Sequence, residues 1–443
     1  MYRYTVAVIG SGYVGLTTGA CLASLGHRVR CADIDSAKVD RLRRGEVDIL
    51  EPGLPELIRQ GQASGLLAFE VGAAGAVRDA EVVILCLPTP MGPDGTADLT
   101  AVSAVLAETG ALLAPGCVLV NKSTVPVGTA RGMAEILGRD DVHVVSNPEF
   151  LREGSAVADF LSPDRIVVGS DSRRAAERVL ALYARLGAPA VLTDATSAEL
   201  VKYAANCFLA TKLSYVNSIA ELSERLGGNI ADILTGMGYD QRIGQSYLRP
   251  GPGWGGSCLP KDTMALLRVS ESVGFDFPLL AEAVRTNERQ RERVVDRVEA
   301  ACGGSLDGLR LGLLGLTFKA GTDDLRDSPA LAIAELLVRR GAELVAHDPA
   351  VAVTREIPGG AVAVTDDPYQ AAKGADGLVL LTEWPSFRAL DWSRVAGLLA
   401  RPVVVDTRNH LDPDVLAGAG ITLTGFGAAP GAARAEPDLV PEP

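Results

Sequence analysis

Three groups of residues have the types and spacing to do chemistry. The first is Tyr247–Asp262, YLRPGPGWGGSCLPKD. Gly251, Gly253, Gly255 and Gly256 predict a flexible loop whose amides can wrap a ligand. Pro260 suits the first turn of a helix running on through KDTMALLRVSESVG. Cys258 then stands just before a helix N-terminus, beside Lys261, and both the helix dipole and the ammonium favour a thiolate. Asp262 follows within reach and can steer a proton or a water. The second group is Lys202 and Asn206, four apart on a predicted helix and therefore on one face. Their neighbours are mostly apolar, where an ammonium is costly unless it has a task. The third is Gly10-Ser11-Gly12-Tyr13-Val14-Gly15, which follows the strand-like YTVAVIG and opens a helix. The next strand, HRVRCADID, reaches Asp33 18 residues after Gly15. That is the dinucleotide fingerprint in its βαβ context.

Each member of the third group has a physical role. Gly10 allows the tight turn, Gly12 admits the pyrophosphate, and Gly15 lets helix and strand pack closely. The helix N-terminus faces the phosphates. Asp33 accepts the adenosine ribose hydroxyls and repels a 2′-phosphate, which favours NAD over NADP. A nicotinamide cofactor with a nucleophilic cysteine fits more than alcohol–ketone exchange. Hydride loss from a primary alcohol gives an aldehyde, and a thiolate can add to it. The thiohemiacetal can lose a second hydride to give a thioester, which water hydrolyses to a carboxylate. Two NAD are reduced per substrate.

The elements that position these groups read as α/β. AEVVILCLP, GCVLVNKST, DVHVVSNPEF and DRIVVG predict further buried strands of a parallel pattern. Pro88-Thr89-Pro90, Lys122-Ser123-Thr124 and Asn147-Pro148-Glu149 close three of them, and the carboxyl ends of such strands border the ligand crevice. From about 196 to 300 the pattern is helical. Thr196-Ser197-Ala198-Glu199 reads as a capping box before a long helix stopped by Gly227-Gly228. This helix could be a dimer seam or a spacer within the chain. From Leu309 a second α/β pattern begins, with strands at GLRLGLLGLTF, AELVAHD, ADGLVLLTEW and RPVVVDTRN. It offers only Gly312-Leu313-Leu314-Gly315, so no second full dinucleotide site is expected. The predicted fold is thus two Rossmann-like parallel-sheet domains joined by a long central helix and a helical middle domain. The expected boundaries are 1–195, 196–300 and 301–426, with a disordered Pro-, Ala- and Glu-rich tail at 427–443.

Composition narrows the partners. The chain has 443 residues and a net charge of −13, which argues against nucleic acid or an anionic membrane. Thr5–Gly26 carries no charge, but its five glycines make it a poor membrane span. Seven cysteines without a Cys-x-x-Cys pair predict reduced thiols in a cytoplasm, and four scattered histidines predict no metal site. Only seven of 42 cationic residues are Lys, at 38, 122, 202, 212, 261, 319 and 373, so each Lys is worth locating.

VAVIGSGYVGL, NPEFLREGSAVADFLSPDRIVVG, ELVKYAAN, QRIGQSYLRPGPGWGGSCLPKD and GLTFKAGTDDLRDSP together resemble the UDP-glucose 6-dehydrogenase family, over about residues 3 to 426. The resemblance implies NAD-dependent four-electron oxidation of UDP-glucose to UDP-glucuronate. It makes Cys258 the nucleophile, with Lys202 and Asn206 stabilising the oxyanion. Asp262, Thr124 and Glu149 would position water and its proton path. Glu153 would contact cofactor and substrate. Asp33, Lys38, Thr89, Thr124, Lys261 and Arg326 would join Gly10, Gly12, Tyr13, Val14 and Gly15 in holding NAD. Phe150, Leu151, Arg152 and Glu153 would hold the nucleotide sugar with Tyr247, Leu248, Arg249, Pro250, Gly251, Gly255 and Lys319. Glu149, Lys202, Asn206 and Cys258 border it. Arg242 would reach the diphosphate, in this family often across a subunit boundary, and Arg408 is a weaker candidate because Asp406-Thr407-Arg408-Asn409 has Thr where Gly is usual. Trp254 and His347 also depart from common family forms. The family implies a homodimer or higher homo-oligomer. A Ser before the cysteine and PDRIVVG favour UDP-glucose over GDP-mannose or a UDP-N-acetyl-hexosamine. A two-electron 3-hydroxyacid-type dehydrogenase would leave Cys258 idle, and a non-catalytic NAD-binding scaffold would need none of Lys202, Asn206, Cys258 and Asp262.

Overall fold

The computed structural model describes residues 2–92, 97–358, 360 and 362–427. The expected tail lies outside the described residues from 428 on. The chain divides into two compact units. One holds the residues up to Ala205 with Met264–Phe275; the other holds Asn206–Thr263 and the chain from Asp276 on. Two of its boundaries fall inside helices, Ala195–Leu226 and Leu259–Ser272.

The first unit is built on eight strands: β1 (Thr5–Ile9), β2 (Arg28–Asp33), β3 (Leu67–Val71), β4 (Val82–Leu85), β5 (Val118–Asn121), β6 (His143–Ser146), β7 (Ile166–Gly169) and β8 (Ala190–Thr193). Their order is β3-β2-β1-β4-β5-β6-β7-β8, whose first six strands follow the Rossmann order. Val6, Val8, Val82, Ile84, Val118 and Val120 pack on one face of the sheet. Ala7, Ile9, Val83, Leu85 and Leu119 pack on the other. A strand buried on both faces must be apolar at every position, which is why these segments read as continuous apolar runs.

The parallel reading of DRIVVG needs one correction. β7 meets β6 antiparallel, at Ser146 and Gly169. The connection between them holds only the six-residue helix Ala156–Leu161. At about 1.5 Å per residue such a helix cannot return the chain along the sheet, so β7 enters from the same end at which β6 leaves. β8 then pairs with β7 in parallel.

The second unit carries β9 (Arg310–Leu314), β10 (Glu343–His347), β11 (Val362–Val364), β12 (Gly377–Leu380), β13 (Val403–Asp406) and β14 (Thr422–Thr424). The order β11-β10-β9-β12-β13-β14 repeats the Rossmann arrangement, and every pairing is parallel. Its helical part includes Ile230–Gly238 and Pro278–Ala301. The long helix ends where Gly227 adopts φ 77°, a left-handed conformation that stops helices.

The start of the long helix also differs from the sequence reading. Thr196 and Glu199 do not form a capping box, because the helix begins at Ala195 and Thr196 already lies within it. Asp194 instead accepts from the Ser197 N–H at 2.8 Å and from its hydroxyl at 2.7 Å. The buried Glu199 accepts from the N–H groups of Gly128 (2.6 Å) and Ala130 (2.8 Å), capping the helix Thr129–Leu137. Burial raises the Glu199 pKa more than these hydrogen bonds lower it.

Candidate active site

The glycine turn follows β1. Gly10 has φ 95°. A Cβ on Gly15 would lie 1.8 Å from the Gly10 carbonyl oxygen, so any side chain there would force helix and turn apart. A Cβ on Gly12 would meet nothing within 4 Å. The helix Tyr13–Ser24 has no side-chain cap, so its first-turn amides face this open side. Asp33, at the end of β2, accepts from Ser11 N (3.0 Å) and Ser11 Oγ (2.7 Å). Lys38 Nζ lies 3.2 Å from the same carboxylate. Burial alone would raise the Asp33 pKa, but the hydrogen bonds from Ser11 and Asp35, with Lys38, bring it down to about 2. An ionised acceptor, a helix N-terminus and a space without a side chain fit a dinucleotide.

The corresponding turn in the second unit is closed by its own residues. Asp348, just past β10, is buried and accepts from Leu316 N (2.7 Å), Thr317 N (3.0 Å) and Thr317 Oγ1 (2.9 Å). A Cβ on Gly315 would come 2.4 Å from Thr382.

At the carboxyl ends of β4, β5 and β6 the first unit gathers several predicted residues. Thr89 Oγ1 donates to the Thr124 carbonyl at 2.7 Å. Glu149 lies just past β6, and Lys202 Nζ donates to its Oε1 at 2.9 Å. Both side chains are buried, at 6% and 5% exposure. Burial pushes the Glu149 pKa up, but Lys202, the Leu151 N–H and Lys122 outweigh it and leave the pKa below the ordinary value. Two cations lie near the Phe150 ring: the Arg165 guanidinium is 3.5 Å from the ring centroid and the Lys202 ammonium 5.5 Å. Lys122 is buried, donating to Asn147 Oδ1 and Tyr183 OH at 3.2 Å each. Lys122, Asn147, Glu149, Phe150, Arg165 and Tyr183 line one cavity. Arg152 pairs with Asp159 at 2.5 Å and is exposed, while Leu151 and Glu153 are half-buried.

The second unit positions the cysteine loop. Cys258 directly precedes the helix Leu259–Ser272, and the Asp262 N–H donates to its carbonyl at 2.9 Å. Asp262 is fully buried. Its carboxylate accepts from Asn206 Nδ2 at 2.6 Å and from Lys261 Nζ at 2.7 Å. Cys258 is half-buried, whereas the other six cysteines are buried. Burial pushes the thiols of Cys21, Cys86, Cys117 and Cys207 up to about 12. Those of Cys31 and Cys302 are raised by the same cause.

Two of the loop's glycines are also required for close approach, a constraint the sequence reading did not name. A Cβ on Gly255 would lie 2.1 Å from the Asp327 carbonyl oxygen, and one on Gly256 2.7 Å from the Phe318 ring. Three buried amides that the sequence did not single out hold the loop. Asn217 accepts from Gly251 N at 2.9 Å, Asn287 accepts from Trp254 N at 2.8 Å, and Gln290 donates to the Gly251 carbonyl at 2.8 Å. Their only sequence signal is a polar residue on an otherwise apolar helical stripe. Tyr247, at the loop's start, has φ 61°, a strained conformation for a non-glycine residue. Leu248 and Pro250 are buried and Arg249 is exposed.

The remaining predicted residues are spread over this unit. Lys319 lies 5.7 Å from the Phe318 ring. Arg408 donates to the carbonyls of Leu381 (3.0 Å) and Phe318 (3.1 Å), and a Cβ on Gly251 would come 3.3 Å from its guanidinium. Arg326 and Arg242 are exposed and paired with Asp324 and Asp240, each at 2.6 Å.

Residues 4–187 match the NAD binding domain of the UDP-glucose/GDP-mannose dehydrogenase family, 196–289 its central domain, and 312–413 its UDP binding domain. The chain belongs to the UDP-glucose/GDP-mannose dehydrogenase family. It is 44% identical over 439 residues to a UDP-glucose 6-dehydrogenase of Pseudomonas aeruginosa, covering 95% of this chain and 97% of that one. The structure of a UDP-glucose dehydrogenase from Pyrobaculum islandicum matches with a TM-score of 0.88 at 39% identity, covering 97% of this chain and 98% of the other. A UDP-D-ManNAc dehydrogenase from Pyrococcus horikoshii matches with a TM-score of 0.83 at 27% identity, covering 95% and 99%.

Proposed function

We propose that this member of the UDP-glucose/GDP-mannose dehydrogenase family oxidises the C6 alcohol of UDP-glucose to the carboxylate, with NAD as cofactor. The observation that carries the reading is Cys258. It is half-buried where the other six cysteines are buried, and it stands at a helix N-terminus one turn before Asp262, whose carboxylate is shared by Asn206 and Lys261. Identity to UDP-glucose 6-dehydrogenases near 44%, against 27% to a UDP-D-ManNAc dehydrogenase, favours glucose over an N-acetylated sugar.

In this reading Gly10, Gly12, Tyr13, Val14, Gly15, Asp33, Lys38, Thr89, Thr124, Glu153, Lys261 and Arg326 hold the dinucleotide. Bound NAD supplies a hydride acceptor for each of two oxidations. The Cys258 thiolate adds to the aldehyde carbon, and the same carbon becomes a thioester after the second hydride leaves. Lys202 and Asn206 donate hydrogen bonds to the oxygen that gains charge in each addition. Asp262, Thr124 and Glu149 orient the water that cleaves the thioester and take its proton. The carboxylate then leaves and the thiol is restored. Phe150–Glu153, Tyr247–Gly251, Gly255, Lys319 and Arg242 hold the nucleotide sugar. Arg408, which donates to two carbonyls and pairs with Glu383, is the weaker candidate for the same site.

The reading extends to the rest of the protein. Residues 1–195 act as the NAD domain, 196–300 as the central domain with the cysteine loop, and 301–426 as the UDP domain. Phe208, Tyr215, Leu222 and Leu226 of the long helix are exposed at spacings that place them along one side, which suits a second copy of the chain. Among the described residues no helix is long and apolar enough to cross a membrane, and the cysteines are free thiols. Both features suit a cytoplasmic enzyme. The substrate assignment is tested by kcat/KM on UDP-glucose, GDP-mannose and UDP-N-acetylglucosamine. UDP-glucose should exceed the other two by at least tenfold. Preference for either of the others would replace it.

A further inference from the structure

Tyr13 sits in the first turn of the helix that follows the glycine turn, and its hydroxyl reaches a different part of the first unit. The Gly154 N–H donates to the Tyr13 hydroxyl at 2.7 Å. That hydroxyl in turn donates to Glu51 Oε2. Glu51 is 4% exposed, and its Oε1 accepts from the Val157 N–H at 3.1 Å. Segments 38 and 141 residues away from Tyr13 are thereby tied to it.

The tied segment is one that needs support. Gly154 adopts φ 80°, and glycine loses more conformational freedom on being fixed than any other residue. The helix that follows, Ala156–Leu161, has six residues, and its N-cap Ser155 makes no side-chain cap bond. A helix that short does not hold itself. Glu51 supplies the missing cap at Val157, and Tyr13 fixes the residue before Ser155. Burial and Glu51 hold the phenol proton tightly, so Tyr13 remains the donor to Glu51.

We propose that Tyr13 and Glu51 are positioning residues that couple the glycine turn to the loop Phe150–Gly154, so that dinucleotide and nucleotide sugar strengthen each other's binding. The inference rests on the reading that this loop holds the nucleotide sugar. A dinucleotide on the first-turn amides orders the backbone of Tyr13. The ordered hydroxyl then presents its acceptor to Gly154, and the sugar meets a loop whose ordering cost has been met. Such coupling is reciprocal, so each ligand must tighten the other by the same factor.

The test uses the non-reacting pair NADH and UDP-glucose. NADH Kd is measured by fluorescence with and without saturating UDP-glucose, and UDP-glucose binding alone is measured by calorimetry. In the native enzyme UDP-glucose should tighten NADH by about fivefold or more. In Tyr13→Phe, which keeps the ring, the factor should fall to within about twofold of unity. Glu51→Gln should do the same, since Tyr13 and Val157 donate to opposite carboxylate oxygens and the amide keeps only one of the two as an acceptor. The double variant should lose no more than either single variant. An unchanged factor in the two single variants, or no tightening in the native enzyme, overturns the inference while leaving the substrate reading intact. No UDP-glucose binding to the native enzyme overturns both.

Discussion

The Lys202 ammonium lies 2.9 Å from a Glu149 carboxylate oxygen, with both side chains nearly fully buried. A buried charge pair of this kind is worth little as a stabiliser compared with apolar packing, yet breaking it by removing one partner costs about 3–5 kcal/mol. Glu149 lines a sheet-end cavity, so the pair points to chemistry rather than to stability.

The pair also has a pH signature. The Glu149 pKa is lowered in the folded state, because Lys202, the Leu151 N–H and Lys122 outweigh burial. A group with a depressed pKa contributes stability that is complete above its unfolded value, about 4.3, and is lost as pH falls through the folded value. Glu149→Gln should therefore melt well below the native protein at pH 7, with the gap narrowing as pH falls below about 4. A gap that stays constant down to acid pH would show that Glu149 is not ionised in the fold.

Cys258 should be the first thiol to react. Brief treatment with iodoacetamide at pH 7 followed by peptide mass spectrometry should find the label on Cys258. The other six are buried, with pKa values raised by that burial. Comparable labelling of Cys86 or Cys207 in the native state would remove the distinction on which the mechanism stands.

Gly255→Ala tests whether the cysteine loop is held by close approach. The added Cβ would sit 2.1 Å from the Asp327 carbonyl oxygen, and backbone cannot move aside as a side-chain end can. Overpacking of this kind costs about 1–3 kcal/mol. The variant should show a lower Tm and a lower kcat, with NAD binding to the isolated enzyme preserved. Native kcat in Gly255→Ala would mean that the loop is as free as its glycine content first suggests.

Asp33→Asn should weaken NAD about 10- to 100-fold, the loss of a charge-assisted hydrogen bond of about 1.5–3 kcal/mol. Because the Asp33 pKa lies at about 2, this contribution should not vary from pH 5 to 9. An NAD KM that is unchanged in Asp33→Asn would move the ribose contact elsewhere.

The parts of this fold that were legible in the sequence are those with local patterns. The glycine turn, Asp33, the cysteine before a helix and the long helix ending at Gly227 each declare themselves within a few residues. What was hidden depends on partners distant in the chain. Glu199 looked like the end of a capping box, yet it caps a helix some 70 residues earlier. Lys122 reads as a cleft residue, and the structure gives it Asn147 and Tyr183 as neutral partners in the same cavity as Glu149. Glu51 carries no motif at all, and its role comes from Tyr13 and Val157. The reversed direction of β7 was invisible for a similar reason, since an apolar strand has the same composition in either direction.

The central claim is that one enzyme carries out both oxidations through a Cys258 thioester. The most direct measurement is the number of NADH formed per UDP-glucose consumed, in native enzyme and in Cys258→Ser. The account predicts two NADH per sugar for the native enzyme and loss of this two-step turnover in the variant, because a hydroxyl is far less ionised than a thiol. One NADH per sugar, or a variant that still yields two at near-native rate, would contradict it.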